Sequence, residues 1–577
     1  MTRLLEKYNF ACMHPGFSSF RFIFFMSLVV AASCTNPAHR HLDKKVFRYN
    51  EPGGISSLDP AFASNEANTR ACMQLYNGLV QADSELKIKP CIAQSWDILE
   101  KGKVFVFHLR NDIFFHENNS FDIREEFNAI HDKNNPIRVT RKVIASDFTY
   151  SFQRLTDPLV ASPCMWVMNH VRRDSLGKMT GIEALDDSTL RITLDKPFVP
   201  FLSILSMVCC SVVPHEVVDY FGADFRNHPC GTGPFQFRIW KPDMELVFLK
   251  NENYFETDAK GECLPFLDAV EISFIPEREN AFIEFLKGNL DILIGINGMI
   301  RDQLLTPTGQ LQPRFAGKFN FEIYPYLNTE FLSVVNNCKG SAAKGNPLCD
   351  KRIRQALSYG FGRKNLRRYL YGNIGIPGAD GIVPPGLPSY DSALVVGYYY
   401  YPSKVRTLLK EAGYENGKGL PEIVLHTNVE ARELCDYIDK QWEEFGIHVS
   451  VAVQSHEEQM KMIDEGKMSF FRSSWIADYP DAENYLGLFY SKNIPPRGYN
   501  FTHFSNRDYD EIYEKAMEEV NDSMRYVYYR YMDQLLIEQA PVMIVYYDQS
   551  VRLTQLSLSG LSQNAMNYLS LKEVRKK

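Results

Sequence analysis

The stretch HPCGTGPFQFRIW (His228–Trp240) joins two local signals. Gly231 and Gly233 permit a tight turn with positive φ, and Pro234 then sets an extended start for a strand over Phe235 to Phe237. The motif reads as a scaffold turn rather than a ligand cradle. Outward from it, Leu190, Ile192 and Leu194 alternate with Thr189, Arg191 and Thr193, which predicts a half-buried strand. Asp147 and the aromatic run behind it predict the first turn of an amphipathic helix. On the other side, a helix is expected from about Asn280 to Lys287, stopped by Gly288 and leading into the apolar run Ile292–Ile294. Val405, Leu408, Leu409 and Ala412 recur at helical spacing between Pro402 and Gly413. Ser523 to Gln539 reads as a further helix, and Pro541 opens a strand over Val542 to Tyr547. Strands and helices mixed in this way predict α/β domains.

The 577 residues allow about three domains, or two large ones. Lys plus Arg number 63 against 70 Asp plus Glu, a formal charge of −7, and this acidity speaks against nucleic acid as a partner. Hydrophobic residues at 45% and charged residues at 23% exclude disorder and a polytopic membrane protein. The 13% aromatic fraction can fill a core and still line a binding cleft. HExxH, GxSxG and GxxxxGK[ST] are all missing, and Gly413 to Lys418 has the wrong spacing for a phosphate loop, so a secreted hydrolase has no motif to rest on. Twelve scattered cysteines contain no CxxC pair. Adjacent Cys209 and Cys210 read as buried free thiols, and any disulfide pairing stays open. No cofactor and no metal site is expected.

Phe22 to Ala32 (FIFFMSLVVAA) is too short to span a membrane, which takes about 20 residues, and fits the core of a signal peptide. The sequence AASC that ends it resembles a bacterial lipobox, with Cys34 as the lipidated residue and Ala31 where Leu or Val is usual. The long leader before Arg21 leaves Met13 as an alternative start. His39 and His41 read as part of a tether rather than a metal site.

Further segments stand in a fixed order. They are SLDPAFASNEANTRACMQLYNGLVQAD (Ser57–Asp83), PCIAQSW (Pro90–Trp96), FVFHLRNDIFFH (Phe105–His116), ASDFTYSFQRLTDP (Ala145–Pro158) and ALDDSTLRITLDKPF (Ala184–Phe198). After the His228–Trp240 stretch come Asn251 and Tyr254, KRIRQALSY (Lys351–Tyr359), Leu408 to Tyr414, SSWIADYPDAENYL (Ser473–Leu486) and APVMIVYY (Ala540–Tyr547). In that order they resemble the peptide class of ABC-importer solute-binding proteins, the oligopeptide- and dipeptide-binding lipoproteins of family 5. The resemblance implies a bilobal α/β periplasmic-binding-protein-like fold with an extra inserted domain and ligand in the interlobe cleft. It implies a signal peptide at 1–34, a tether at 35–45, a first lobe from 46–76, 215–326 and 546–577, the inserted domain at 77–214 and a second lobe at 327–545. Tyr324 to Tyr326 and Val545 to Tyr547 become candidate hinges. The charged segment 117–142 is an insertion relative to the family, and its role is not legible.

The function so implied is a binding protein and not an enzyme: a periplasmic receptor, lipid-anchored to the cell membrane, monomeric, delivering oligopeptides to the permease and ATPase subunits of an importer. The alternative cargo is an oligosaccharide, a metal chelate or haem. A peptide bound as an added strand has its main chain satisfied whatever its side chains, but its two terminal charges need partners. In FFRSSWIADY, carried over by position, Asp478 is the α-amino anchor, Arg472 a carboxylate partner and Trp475 a packing residue. Arg432 falls near a further carboxylate-binding position, and His456 stands where a pocket tryptophan is usual. Six residues of strand span about 20 Å, so Arg472 and Asp478 can hold one tripeptide only if the chain bends near Trp475. Otherwise Arg472 is left to pair with a carboxylate of the protein itself.

Overall fold

The computed structural model describes residues 45–121, 129–130, 138–336, 338, 345–465 and 467–577. The signal peptide, Cys34 and the tether as far as residue 44 lie outside the described residues, as does much of the 117–142 insertion. Within that insertion Ala129–Ile130 and Arg138–Val139 pair as two short antiparallel strands.

The chain begins one four-stranded sheet with Val46–Asn50, leaves it, and returns much later. In between it builds a second four-stranded sheet from Ala93–Leu99, Val104–Leu109, Ile182–Asp186 and Thr189–Thr193, all antiparallel. Leu190 and Ile192 are fully buried there, as their alternation requires. The helix Ala145–Leu155 accompanies this sheet; Asp147, in its first turn, accepts from the Ile144 N–H at 2.9 Å and pairs with Arg141 at 2.7 Å. The first sheet is then completed by Phe235–Lys241, Glu245–Lys250 and Ala269–Ser273, the last lying parallel to Val46–Asn50.

The strand Phe235–Lys241 starts directly after Pro234, as expected, but neither Gly231 nor Gly233 has positive φ. The glycines serve close packing instead. A Cβ on Gly231 would lie 2.1 Å from the Leu75 carbonyl oxygen, and one on Gly233 would lie 2.4 Å from the Leu75 carbonyl carbon. The turn is clasped further by His116 and Asn251, which both donate or approach at the Gly233 oxygen, at 3.0 and 2.9 Å.

A third sheet of seven strands crosses the rest of the molecule. Its order is Ile292–Ile294, Val542–Thr554, Asn320–Val334, Phe470–Ile476, Ile423–Thr427 and Val449–Val453, with Ile376–Pro377 also on Val542–Thr554. The Val542–Thr554 strand outruns its expected end at Tyr547, because it pairs with Asn320–Val334 along its length and with Ile292–Ile294 at its far end. The register between the two long strands breaks between Pro325 and Thr329, near the candidate hinges. The helices Lys351–Tyr359, Pro402–Glu411 and Arg432–Glu443 pack around fully buried Trp442. Cys209 and Cys210 are buried free thiols, and Cys338 and Cys349 form a disulfide with Cα atoms 5.7 Å apart. No helix among the described residues is long and apolar enough to cross a membrane.

Candidate ligand-binding site

The Phe470–Ile476 strand has one satisfied edge and one open edge. Val335 N donates to Ser469 O and Ala477 N to Leu327 O, both at 2.9 Å, so in this antiparallel ladder the odd-numbered residues face Asn320–Val334. Ser474 and Ile476 therefore turn their N–H and C=O groups the other way. On that side Ile423–Thr427 pairs only at His426 with Phe471, and no strand among the described residues pairs beyond it. An unpaired strand edge is a template for an added strand.

Asp478 follows where the strand ends. Asn484, in the short helix Glu483–Leu486, reaches back to hold this corner: its Oδ1 accepts from Trp475 Nε1 at 2.8 Å and from Asp478 N at 3.1 Å. Its Nδ2 donates to Asp478 Oδ2 at 3.3 Å. The loop between is braced from below, since Glu483 accepts from the hydroxyls of Tyr479 and Tyr513 and Asp481 accepts from Tyr529 at 2.7 Å. Asp478 opens into a cavity of about 820 Å³ shared with Trp166, Trp475, Tyr499, Lys196 and Arg497. Its carboxylate is reached by solvent through that cavity but has protein on most sides; this desolvation pushes its pKa above the ordinary carboxylate value, against the pull of the Asn484 amide. Among the described residues Asp478 makes no ion pair.

Arg472 has a different setting. Its guanidinium forks onto Glu330, through Nε to Oε1 and through Nη2 to Oε2 at 2.5 Å. Glu330 is 1% exposed, and burial drives its pKa up to about 7 despite the arginine. The strand runs in unbroken register from Phe470 to Ile476, with no bend at Trp475. By the spacing argument, then, Arg472 and Asp478 are too far apart to hold the two ends of one tripeptide, and Arg472 has taken its protein carboxylate. Arg432 opens the helix Arg432–Glu443, is exposed, pairs with Asp436 at 3.4 Å and does not line the Asp478 cavity. His456 begins the helix His456–Asp464, and its side chain lies outside the described residues.

The family model for bacterial extracellular solute-binding proteins, family 5, matches residues 87–495, well over half of the chain. The chain belongs to this family. Among curated relatives it is 23% identical over 534 residues to the dipeptide-binding protein of Escherichia coli K12, covering 90% of this chain and 91% of that one. It is 26% identical over 511 residues to the heme-binding protein A of Haemophilus influenzae, covering 86% and 85%. The solved structure of the periplasmic murein tripeptide-binding protein MppA in its unliganded open form superposes with a TM-score of 0.76 at 22% identity, over 92% of this chain and 98% of that one. The fold is thus the bilobal one of the periplasmic binding proteins. As a family 5 protein the chain has the substrate-binding role of an ABC importer and is not an enzyme.

Several residues of this family 5 site were not foreseen. Asn484 lies inside the stretch SSWIADYPDAENYL, yet a neutral amide six residues after Asp478 gives no local signal of its clamp. Glu330 was missed because its partner is 142 residues away in sequence. Arg497 comes to the cavity on the loop that also packs Tyr499 on Trp475, with ring centroids 5.8 Å apart. Lys196 and Arg497 line the cavity and make no ion pair among the described residues.

Proposed function

We propose that this protein is a lipid-anchored periplasmic receptor that captures oligopeptides and hands them to the permease of its importer. The observation that carries the reading is Asp478, a carboxylate without a protein cation placed at the end of an open strand edge. An extended peptide can continue that edge through its main chain while its α-ammonium meets Asp478. Trp475 and Trp166 supply apolar wall. The carboxylate end falls to Lys196 and Arg497 rather than to Arg472, which is engaged by Glu330. Cys34 serves as the lipid attachment site, and the protein acts as a monomer.

The same reading keeps the division into a first lobe of 46–76, 215–326 and 546–577, an inserted domain of 77–214 and a second lobe of 327–545. In its support, the four strands of the second sheet fall wholly inside the inserted segment. The two strands carrying the candidate hinges are also the long neighbouring pair with the broken register.

The test is a melting screen of the purified protein against mixed tri- to pentapeptides, with mass spectrometry of whatever co-purifies. A ligand held only by the native state stabilises it by RT ln(1 + [L]/Kd), about 2.7 kcal/mol at a hundredfold excess over Kd. A raised midpoint and a co-purifying peptide are expected. No shift with any peptide, beside a clear shift with haem, a metal chelate or an oligosaccharide, would overturn the peptide cargo. Membrane fractionation of Cys34→Ser checks the anchor: the variant is expected in the soluble fraction.

A further inference from the structure

The open edge of Phe470–Ile476 has a definite length. His426 pairs in parallel with Phe471, and in that register Thr427 stands opposite Arg472. Because the odd-numbered residues face Asn320–Val334, this pairing takes the Phe470 carbonyl and the Arg472 N–H. The strand Ile423–Thr427 then stops. Asn428 Oδ1 accepts from Ala431 N at 3.1 Å and folds 428–431 into a turn ahead of the helix Arg432–Glu443. What remains open is the N–H and C=O of Ser474 and of Ile476, which have no hydrogen-bond partner among the described residues.

Asp478 lies past the C-terminal end of this strand, so a peptide whose α-ammonium meets it runs antiparallel to the strand, back toward Thr427. In an antiparallel ladder a residue exchanges both of its hydrogen bonds with the one opposite, and every second residue does so. With the first peptide residue opposite Ile476, its ammonium donates to the Ile476 carbonyl as well as to Asp478, and its carbonyl accepts from the Ile476 N–H. The third residue then stands opposite Ser474, donating to the Ser474 carbonyl and accepting from the Ser474 N–H at its carboxylate. A fourth residue falls opposite Ser473, beside the 428–431 turn. A fifth falls opposite Arg472, on the place that Thr427 fills and facing an N–H already bonded to His426. A tripeptide therefore uses every open group of the edge, a dipeptide leaves Ser474 unpaired, and a pentapeptide has to leave the sheet.

We infer that the site selects peptides by length and is sized for tripeptides, with Ser474 pairing the third residue and Thr427 and the 428–431 turn acting as the end stop. This rests on the peptide reading above and narrows it.

The test is calorimetry with an alanine series of two to five residues, each with a free amino terminus, on the parent and on Ser474→Pro. The N–H that this variant removes points out of the sheet, and proline is tolerated at such an edge position. The tripeptide should bind the parent at least tenfold tighter than the dipeptide, since it adds two hydrogen bonds, one of them to a carboxylate, and at least tenfold tighter than the pentapeptide. In Ser474→Pro the advantage over the dipeptide should fall below threefold. Methylating the amide nitrogen of the tripeptide's third residue removes the donor to the Ser474 carbonyl and should cost the parent about tenfold, a readout that needs no variant to fold. A pentapeptide that binds the parent as tightly as the tripeptide, or a tripeptide advantage that survives Ser474→Pro, overturns the length selection and leaves the peptide reading standing. If no member of the series binds the parent, the peptide reading falls and the length selection with it.

Discussion

The two ends of one short strand carry opposite charges and have opposite fates. At the start of Phe470–Ile476, Arg472 is locked to buried Glu330 by two hydrogen bonds. Just past its end, Asp478 has an amide beside it and a cavity in front of it. A charge desolvated and paired inside the protein belongs to the fold, whereas a charge desolvated and left without a counter-ion awaits one from outside. The same strand therefore teaches that residue type and spacing alone do not mark a ligand anchor. What separates the two ends is whether the neighbouring strand supplies a partner.

The largest effect should come from the open end. In Asp478→Asn the peptide ammonium loses its counter-ion, a loss of about 3–5 kcal/mol when one member of a buried pair is removed, or at least a hundredfold in affinity. Acetylating the peptide amino terminus should weaken binding to the parent comparably but add little in the variant, because both changes break one interaction. Calorimetry of the four combinations reads the coupling. Additive losses would make Asp478 a structural residue like Arg472 and erase the contrast.

Removing Arg472 should act on stability rather than on binding. Arg472→Gln leaves Glu330 buried without its cation, at a cost of about 3 kcal/mol, the low end for such a break because Glu330 can take up a proton instead. The sign follows from a folded pKa of about 7, raised above the ordinary glutamate value near 4.3. Glu330 contributes its full stability below that ordinary value, and the contribution is lost as pH rises through 7. The variant's deficit should thus be larger at pH 8 than at pH 6, where Glu330 is mostly protonated and needs no partner. Denaturant titrations at the two pH values measure it; an equal deficit, or a selective loss of binding to peptides with a free carboxylate, would put Arg472 in the ligand site.

Gly233→Ala supplies a purely structural reference. Its Cβ would meet the backbone of Leu75 and Tyr76 at 2.4 and 2.6 Å, atoms that cannot swing aside, so a loss of about 2 kcal/mol is expected from overpacking. Peptide affinity of the folded fraction should be unchanged in the same calorimetric assay. The smallest effect belongs to Arg497, an exposed cation on the cavity wall. Arg497→Ala should cost under about 1 kcal/mol for a peptide with a free carboxylate and nothing for the same peptide amidated, as exposed ion pairs are weak. Equal losses for acid and amide would remove Arg497 from the carboxylate end.

Local pattern was enough for the elements and the family. The alternation of Thr189 to Leu194, the helical spacing of Val405, Leu408 and Leu409, and the Pro234 start of a strand each rest on periodicity or a fixed dihedral, and each stands in the structure. The ordered segments likewise identified the family that the whole-chain match establishes. Tertiary structure decided why the glycines are there and what the charges do. Gly231 and Gly233 answer to the approach of Leu75, some 150 residues earlier in the chain, and not to a positive φ. Arg472 is satisfied by Glu330 across a strand pairing, and Asp548 accepts from Asn328 on the strand beside its own. Periodicity and turn chemistry are properties of neighbouring residues, so the sequence carries them directly. Close approach and charge satisfaction depend on which distant strands meet in register, and only the folded sheet fixes that.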